Sequence, residues 1–365
     1  MTELITLNVS TAVRDRYSEA AKDRADNLCC AVTYDPKYLA AIPSAVLERD
    51  YGCGDPSKYL LPGEVVLDLG SGGGKICFIA SQVVGPTGRV IGVDCNDEML
   101  ALARASQMDV AQKLGFSNVE FRKGQIQDLK LDLDQLDTRL RGQPVATSSD
   151  WLRLHEFAAE LRRTSPLVRD ASVDVVVSNC VLNLVQSDDR QELFHEIFRV
   201  LKPGGRAVVS DIVADRDIPP NLQNDPELWS GCLSGAFRDD RFPKAFEEAG
   251  FVGIEILAKQ EDPWRVIEGI QFRSMTLRAH KRAVAHDDGE KTATVTYRGP
   301  FRCVQDDAGN TFPRGQHVAV RLSDAELLQA EPYRGSFLTA RLPNVGSSGA
   351  CCAGSAGETT GCCQV

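Results

Sequence analysis

The sequence predicts an α/β protein with a seven-stranded, doubly wound parallel sheet, and three observations support this prediction. Short apolar runs rich in β-branched residues alternate with helical stretches over residues 64–281. The run at 65–69 leads directly into a glycine loop at 70–74. A helical stretch stops at 202–205, Lys-Pro-Gly-Gly, before another apolar run. The predicted strands are 65–69, 89–93, 118–122, 173–178, 206–212, 253–258 and 272–278, and the predicted helices include 98–114 and 190–201.

An insertion interrupts this alternation. Residues 130–170 form a connection that is far longer than usual and rich in leucine and charge. Its middle, 150–163, has the pattern of an amphipathic helix, for which Ser149 or Asp150 is the predicted cap. The insertion is either a surface excursion, or a lid or partner-docking element.

Composition divides the chain into four parts. Residues 1–60 are an N-terminal arm with cysteine loops, and 61–283 are the main domain with its insertion. Residues 290–344 predict a small, mostly β C-terminal domain. Residues 345–365 are largely Gly, Ser and Ala with four cysteines, which predicts a flexible Cys-rich tail. The strands predicted in the small domain are 292–297, 301–304 and 317–322, with a turn at 306–310.

The charge balance excludes some partners. The chain has 365 residues, 51 of them acidic and 41 basic, which gives a net charge of −10. Such a field repels phosphate backbones and anionic lipids, so we expect neither nucleic acid nor a membrane as a partner. The first residues lack a signal-peptide pattern, and no apolar stretch approaches the ~18 residues of a membrane span. We therefore expect a monomer in the cytoplasm, where its twelve cysteines are not a disulfide framework.

The strongest local motif is the run Asp68-Leu69-Gly70-Ser71-Gly72-Gly73-Gly74. Its glycines let a ligand lie against the main chain. A second acid, Asp94, ends the next strand, where a carboxylate suits a ribose diol. Dinucleotide binding is the main alternative, but these glycines do not follow G-x-G-x-x-G. The loop composition therefore argues against a dinucleotide.

Several cysteines lie where ligands of such folds bind. Cys180 follows the fourth strand, and open α/β sheets bind ligands beyond the carboxyl ends of their strands. Cys53 lies between two glycines before the sheet, Cys232 lies after the fifth strand, and Cys29-Cys30 lie upstream. The alternative for Cys180 is a core position. None of these spacings is C-x-x-C, so a zinc ribbon is not supported. Thiolates on several loops suit a soft, thiophilic centre. We expect the remaining cysteines before the tail to be packing residues: Cys77, Cys95 and Cys303.

The glycine loop and residues 199–205 together resemble the class I S-adenosylmethionine-dependent methyltransferases, which have a Rossmann-like sheet. The resemblance implies S-adenosylmethionine as the methyl donor. It implies that Asp94 holds the ribose hydroxyls and that Asn179 lies beside the methionine end. Gly124, Gln125 and Ile126 would flank the adenine. The residues expected to bind the donor are Asp68, Gly70, Ser71, Gly72, Gly74, Asp94, Gln125, Ile126 and Asn179.

Over residues 10–280 the sequence resembles the arsenite S-adenosylmethionine methyltransferases more specifically. The motifs include Val13-Arg14-Asp15-Arg16-Tyr17, Cys29-Cys30, Tyr51-Gly52-Cys53-Gly54, Asp97-Glu98-Met99-Leu100, Ser178-Asn179-Cys180-Val181-Leu182-Asn183-Leu184 and Gly231-Cys232-Leu233-Ser234-Gly235-Ala236. The resemblance implies an enzyme of arsenic detoxification, whose substrates are arsenite and methylated arsenite. Cys53, Cys180 and Cys232 would ligate As(III), and Cys29 or Cys30 would supply an additional thiol. A thiol reductant, thioredoxin or glutathione, would be a co-substrate.

Two other functions remain open at this point. One is an S-adenosylmethionine-dependent methyltransferase of a carbon or oxygen acceptor, in which the cysteines are incidental. The other is a metalloid-binding protein without catalysis, against which the intact glycine loop and Asp94 argue. The insertion and the divergent C-terminal part are departures from the family pattern.

Overall fold

The computed structural model describes residues 9–22, 32–49, 51–283 and 292–341. The chain divides into two compact units, with the boundary after Val284. In the first unit the strands are β1 (Val65–Leu69), β2 (Arg89–Asp94), β3 (Val119–Lys123), β4 (Val173–Asn179), β5 (Leu201–Ala214), β6 (Phe237–Arg238), β7 (Val252–Lys259), β8 (Arg265–Ile267) and β9 (Ile270–His280). Its helices are α1 (Val9–Lys22), α2 (Pro36–Leu39), α3 (Ser44–Leu47), α4 (Lys75–Val84), α5 (Asp97–Leu114), α6 (Leu133–Gly142), α7 (Ser148–Thr164), α8 (Arg190–Val200), α9 (Pro220–Gln223), α10 (Pro226–Ser230) and α11 (Arg241–Glu248).

These elements confirm the predicted α/β fold. The sheet has nine strands, of which seven lie in the order β3-β2-β1-β4-β5-β9-β7, while β6 pairs with β5 and β8 with β9. The sheet is parallel except around β9, which runs antiparallel to β5, β7 and β8. The connection from β7 to β9 spans only residues 260–269 and includes β8. It is too short for the helical crossover that a parallel strand requires.

The core lies on both faces of the sheet because β1 is central. Val66 packs with residues of α4 and α5 on one face. Leu67 and Leu69 pack with residues of α8 and α11 on the other face. Because β1, β2, β4 and β5 run parallel to one another, their carboxyl ends lie at one edge of the sheet.

Two predicted boundaries are wrong. Strand β5 begins at Leu201 rather than at residue 206, because Leu201 pairs with Val173 before a bulge and regular pairing resumes at Arg206. Helix α7 is capped by Thr147 rather than by Ser149 or Asp150. The Thr147 hydroxyl accepts a hydrogen bond from the Asp150 N–H, and the Asp150 carboxylate accepts one from the Thr147 N–H, which is a capping box.

The second unit contains β10 (Ala293–Tyr297), β11 (Cys303–Gln305), β12 (Thr311–Pro313), β13 (His317–Val320), α12 (Leu322–Leu327) and β14 (Phe337–Arg341). Strands β13, β10 and β14 form an antiparallel sheet, and β11 and β12 form a hairpin. The mostly β character of this unit is as predicted, but β12, α12 and β14 were not predicted. Cys303 is exposed, so its assignment as a packing residue is wrong. In the described parts of the chain, no helix combines the length and apolarity that crossing a bilayer requires.

Candidate active site

The glycine loop joins β1 to α4, and its backbone adopts conformations that favour glycine over residues with side chains. The N–H groups of Gly70 and Ser71 both donate to the Val93 carbonyl, at 2.8 and 3.0 Å. Gly70 has φ 68°, and a Cβ there would lie 2.4 Å from Val181. Gly72 has φ 50°, but a Cβ there would meet nothing within 4 Å. Packing therefore requires Gly70, whereas Gly72 leaves the main chain open toward a cavity.

Asp94, at the end of β2, fastens this loop. One carboxylate oxygen accepts a hydrogen bond from the Gly72 N–H and the other accepts one from the Asn96 N–H, both at 2.8 Å. Burial raises the pKa of the Asp94 carboxyl, and these hydrogen bonds oppose the rise. The neighbouring acid Asp68 is buried and accepts a hydrogen bond from the Cys77 thiol at 3.1 Å. The two acids thus lie beside the loop on adjacent strands.

A cavity extends from this loop toward the cysteines. Its wall includes every residue predicted to bind the donor except Gly74, which instead begins α4 and packs against Phe121. Within the described part of the chain, the buried Ser71 hydroxyl has no hydrogen-bond partner. An unsatisfied buried hydroxyl is costly, so this atom indicates a polar ligand in the cavity. The predicted residues in the wall are Asp68, Gly70, Ser71, Gly72, Asp94, Gln125, Ile126 and Asn179.

Three predicted cysteines converge at the inner end of the cavity. Cys53, Cys180 and Cys232 are buried in one cluster, and Cys180 also lines the cavity. The thiols of Cys232 and Cys53 lie beside that of Cys180, and their proximity together with burial raises its pKa. Burial also raises the pKa of the Cys53 thiol. All three are free thiols.

The backbone at two of these cysteines is unusual. Cys180 has φ 64° and Cys232 has φ 62°, in the left-handed region that favours glycine. Hydrogen bonds hold both residues there: the Cys180 N–H donates to the Ser210 carbonyl at 2.8 Å, and the Cys232 thiol donates to the Cys180 carbonyl at 3.0 Å. Left-handed non-glycine residues cluster at functional sites, which agrees with a role for this pair.

Asp211, on β5, is a site residue that sequence reasoning missed. A carboxylate oxygen of Asp211 and the sulfurs of Cys53 and Cys180 all lie within 4.8 Å of one another. The carboxylate accepts hydrogen bonds from the N–H groups of Leu182 and Asn183 at 2.9 and 3.3 Å. Burial raises the pKa of Asp211 to about 7. An acid inside the predicted apolar strand 206–212 was the signal that could have revealed it.

Helix α1 is the second missed element. Its Arg16 donates to the Ser230 hydroxyl at 2.7 Å, close to Cys232, while Asn96 donates to the Ser18 hydroxyl at 3.0 Å. Tyr17 lies between these anchors, lines the cavity and has its phenol beside the Cys232 thiol. Burial raises the pKa of that phenol, and the Cys232 and Cys180 thiols add to the rise. The helix therefore connects the glycine-loop side of the cavity with the cysteines.

The remaining cysteines of the sequence differ in what the structure describes of them. Cys29 and Cys30 lie outside the described residues, as do the four tail cysteines. Cys77 is buried as expected for packing, but Cys95 is exposed and lines the cavity, so its assignment as a packing residue is wrong.

The chain has recognisable relatives. A family model described as a methyltransferase domain matches residues 60–150 and 158–250. The gap between the two matches lies within α7, which belongs to the insertion. A model described as a domain of unknown function matches residues 286–352.

The curated proteins similar to this chain include arsenite methyltransferases. The chain is 38% identical over 230 residues to an arsenite methyltransferase of Halobacterium salinarum, which is 62% of this chain and 48% of that protein. It is 34% identical over 256 residues to an arsenite methyltransferase of Aquipseudomonas alcaligenes, 68% of this chain and 64% of that protein. The chain thus spans about half to nearly two thirds of these relatives. The crystal structure of an arsenic(III) S-adenosylmethionine methyltransferase from Chlamydomonas reinhardtii is 26% identical, with a TM-score of 0.56 over 84% of this chain and 95% of that one.

Proposed function

The chain belongs to the methyltransferase-domain family, and from this premise we propose that it transfers methyl groups from S-adenosylmethionine to trivalent arsenic bound by cysteine thiolates. The convergence of Cys53, Cys180 and Cys232 at the inner end of the cavity carries the proposal. The arsenite and arsenic(III) methyltransferases similar to this chain support it.

The cavity fits S-adenosylmethionine by its chemistry. The open main chain at Gly72 and the unpartnered hydroxyl of Ser71 offer polar contacts to a ligand. Asp94 offers carboxylate oxygens to a ribose diol. Gln125 and Ile126 would flank the adenine. S-adenosylmethionine supplies a methyl group on a positively charged sulfur, and the electron pair of the broken S–C bond stays with that sulfur.

Arsenite reaches the cysteines by ligand exchange. Each As–S bond that forms replaces one As–OH bond, and the thiol proton leaves with the hydroxide as water. Arsenic held by three thiolates keeps a lone pair, which is the nucleophile toward the methyl group. No general base is needed, so the chain contributes mainly by holding donor and acceptor in attack geometry. Soft thiolates suit arsenic better than the harder oxygen ligands do.

Coordination number separates the roles of the cysteines. Arsenite needs three thiolates, whereas monomethylated arsenite carries one As–C bond and needs two. We assign Cys180 and Cys232 to both methylation steps and Cys53 to arsenite. Attack by the arsenic lone pair on the methyl group would leave arsenic formally pentavalent. Two of its thiolate ligands would then leave together as a disulfide, which gives arsenic two electrons and returns it to the trivalent state with its new As–C bond. Cys29 or Cys30 would serve as an additional thiol in the first step, and thioredoxin or glutathione would reduce the disulfide.

We also propose the cytoplasm as the location, because the thiols of the site must stay reduced. The main domain, 61–283, would carry both substrate sites, with 1–60 as the N-terminal arm, 290–344 as a separate small domain and 345–365 as a Cys-rich tail. We propose a monomer, since donor and acceptor sites both lie within the first unit.

One experiment tests the function. Purified protein is incubated with arsenite, S-adenosylmethionine and a thiol, and the arsenic species are separated by chromatography. We expect mono- and dimethylated products that appear only with the methyl donor. Absence of methylated arsenic, with turnover of a carbon or oxygen acceptor instead, would overturn the proposal.

A further inference from the structure

Asn179, at the end of β4, holds the loop that carries Cys53. Its side-chain oxygen accepts hydrogen bonds from the N–H groups of Cys53 and Gly54, at 2.9 and 3.0 Å. Its side-chain nitrogen donates to the Gly54 carbonyl at 2.8 Å and to the Tyr34 hydroxyl at 3.2 Å. A side-chain amide accepts two hydrogen bonds and donates two, so the capacity of Asn179 is used. Although Asn179 lines the cavity, its polar atoms are already engaged by the Cys53 loop.

Ser274, on β9, holds the same loop from the other side. Its hydroxyl donates to the Cys53 carbonyl at 2.6 Å. The N–H and the C=O of Cys53 are thus fixed by two different strands. Ser274 is not among the residues that line the cavity.

The two glycines that flank Cys53 lie too close to the sheet to carry side chains. A Cβ at Gly52 would lie 2.1 Å from the Asn179 side-chain nitrogen, and a Cβ at Gly54 would lie 2.5 Å from the Ser210 hydroxyl. Asn179 also directly precedes Cys180 in the chain. The segment that presents Cys180 therefore also fastens Cys53, and the two sulfurs lie within 4.8 Å of each other.

We propose that Asn179 and Ser274 are positioning residues that fix Cys53 in the arsenic site and thereby determine whether inorganic arsenite is accepted. This inference rests on the proposed arsenite methyltransferase function. Loss of either contact frees the Cys53 backbone, so the third thiolate is no longer held beside the other two. Monomethylated arsenite needs only Cys180 and Cys232, whose hydrogen bonds to Ser210 and to each other remain. The selectivity for arsenite is therefore the property that these residues control.

The test compares Asn179→Ala and Ser274→Ala with Cys53→Ser. Initial rates are measured with arsenite and with monomethylarsenite, and the affinity for S-adenosylmethionine is measured by calorimetric titration. We expect kcat/KM for arsenite to fall about tenfold or more in both variants, because buried backbone groups of Cys53 lose their partners. In Ser274→Ala, whose side chain is not among those lining the cavity, the rate with monomethylarsenite and the affinity for S-adenosylmethionine should stay within about twofold of the parent, because substitutions away from a site usually have small effects. In Asn179→Ala, which also changes the cavity wall, the rate with arsenite should fall by a larger factor than the rate with monomethylarsenite.

Ser81→Ala is the matched control, because the buried Ser81 hydroxyl donates to the Asn118 side chain at 2.6 Å, away from the cavity wall. It should leave the ratio of the two activities unchanged. Circular dichroism checks the folding of each variant, and Ser274→Ala decides the question if Asn179→Ala does not fold.

The outcomes separate the inference from the function on which it rests. Loss of donor affinity and of both activities in Asn179→Ala, with Ser274→Ala like the parent, would make Asn179 a donor-binding residue and overturn the inference. Equal loss of both activities in the two variants would also overturn it. A parent protein that methylates neither arsenical would refute the proposed function itself.

Discussion

At the scale of single residues, the site combines backbone strain with buried thiols. A left-handed conformation costs about 1–3 kcal/mol at a residue with a side chain. Cys180 and Cys232 both adopt it, and the hydrogen bonds to the Ser210 and Cys180 carbonyls maintain it. The surrounding structure therefore determines where the two sulfurs lie before any ligand binds.

Substitution of these cysteines should separate the two methylation steps. We expect Cys180→Ser and Cys232→Ser each to abolish methylation of arsenite and of monomethylarsenite, because a hydroxyl is too hard and too weakly acidic to replace a thiolate. Cys53→Ser should lose only arsenite methylation. Chromatographic speciation with each substrate measures both activities. If a folded Cys180→Ser protein turned over monomethylarsenite at the parent's rate, Cys180 would not be a ligand.

Substitution of Asp94 should weaken the binding of S-adenosylmethionine and leave the binding of the arsenical unchanged. Asp94→Ala removes the predicted partner of the ribose hydroxyls and leaves the N–H groups of Gly72 and Asn96 without their acceptor. We expect about ten- to a hundredfold weaker S-adenosylmethionine binding, from about 1.5–3 kcal/mol for a hydrogen bond to a charged group. Calorimetric titration measures it. Asp97→Ala, an exposed acid paired with Lys123, is the control and should bind the donor normally.

At the scale of elements, the insertion is built from two helices, α6 and α7, of which only α7 was predicted. Both begin at a side-chain cap: Asp132 accepts from the Gln135 N–H, and Thr147 accepts from the Asp150 N–H. Trp151 and Leu152 are exposed on α7. The cap Thr147 lies four positions before Trp151, the first apolar residue of α7, which is why the amphipathic pattern alone placed the cap too late.

The assignment of Thr147 as the cap of α7 can be tested with variants that leave the candidate active site unchanged. Thr147→Ala removes the acceptor of the Asp150 N–H, and we expect the free energy of unfolding to fall by about 1 kcal/mol. Ser149→Ala alters the residue that the pattern favoured and should have a smaller effect, because Ser149 is exposed inside the helix. Denaturant titration compares the two variants, and equal losses would contradict the assignment of Thr147. Methylation rates should stay at the parent's level in both.

At the scale of the whole molecule, buried titratable groups give the stability a pH dependence. Burial among the strands, together with the nearby charges of Arg278 and Arg206, lowers the pKa of His280 to about 4. The ordinary pKa of a histidine is about 6.5. Between these values the unfolded chain binds a proton that the folded chain does not, so stability falls as the pH decreases from about 7 to 4. Asp211, whose raised pKa favours the protonated folded state, acts in the opposite direction over this range.

A comparison of variants isolates the contribution of His280. Between pH 7 and pH 4, the free energy of unfolding should fall by less in His280→Gln than in the parent, by up to about 3 kcal/mol. Denaturant titrations at several pH values measure this slope. His195→Gln, at an exposed position on α8, is the matched control and should keep the parent's slope. An unchanged slope in His280→Gln would mean that His280 is not the residue responsible.

The sequence by itself determined the local features of this protein. The alternating runs predicted the strands, and the glycine loop with Asp94 indicated a ligand cavity beside them, because strand periodicity and turn residues act over a few neighbouring positions. The sequence pattern did not reveal that β9 runs antiparallel to β5 and β7, because alternating apolar residues do not specify the direction of a strand. The motifs around Cys53, Cys180 and Cys232 made these residues candidates but did not place their sulfurs together.

Only the tertiary structure decided how the cysteines are held. Ser274 lies 221 positions from Cys53, and Asn179 lies 126 positions from it. Asp211 looked like one acid within an apolar strand, and Tyr17 like part of an N-terminal motif. Their roles depend on which strand and helix ends share one edge of the sheet. Sequence spacing cannot specify that arrangement, because it results from packing both faces of the sheet at once.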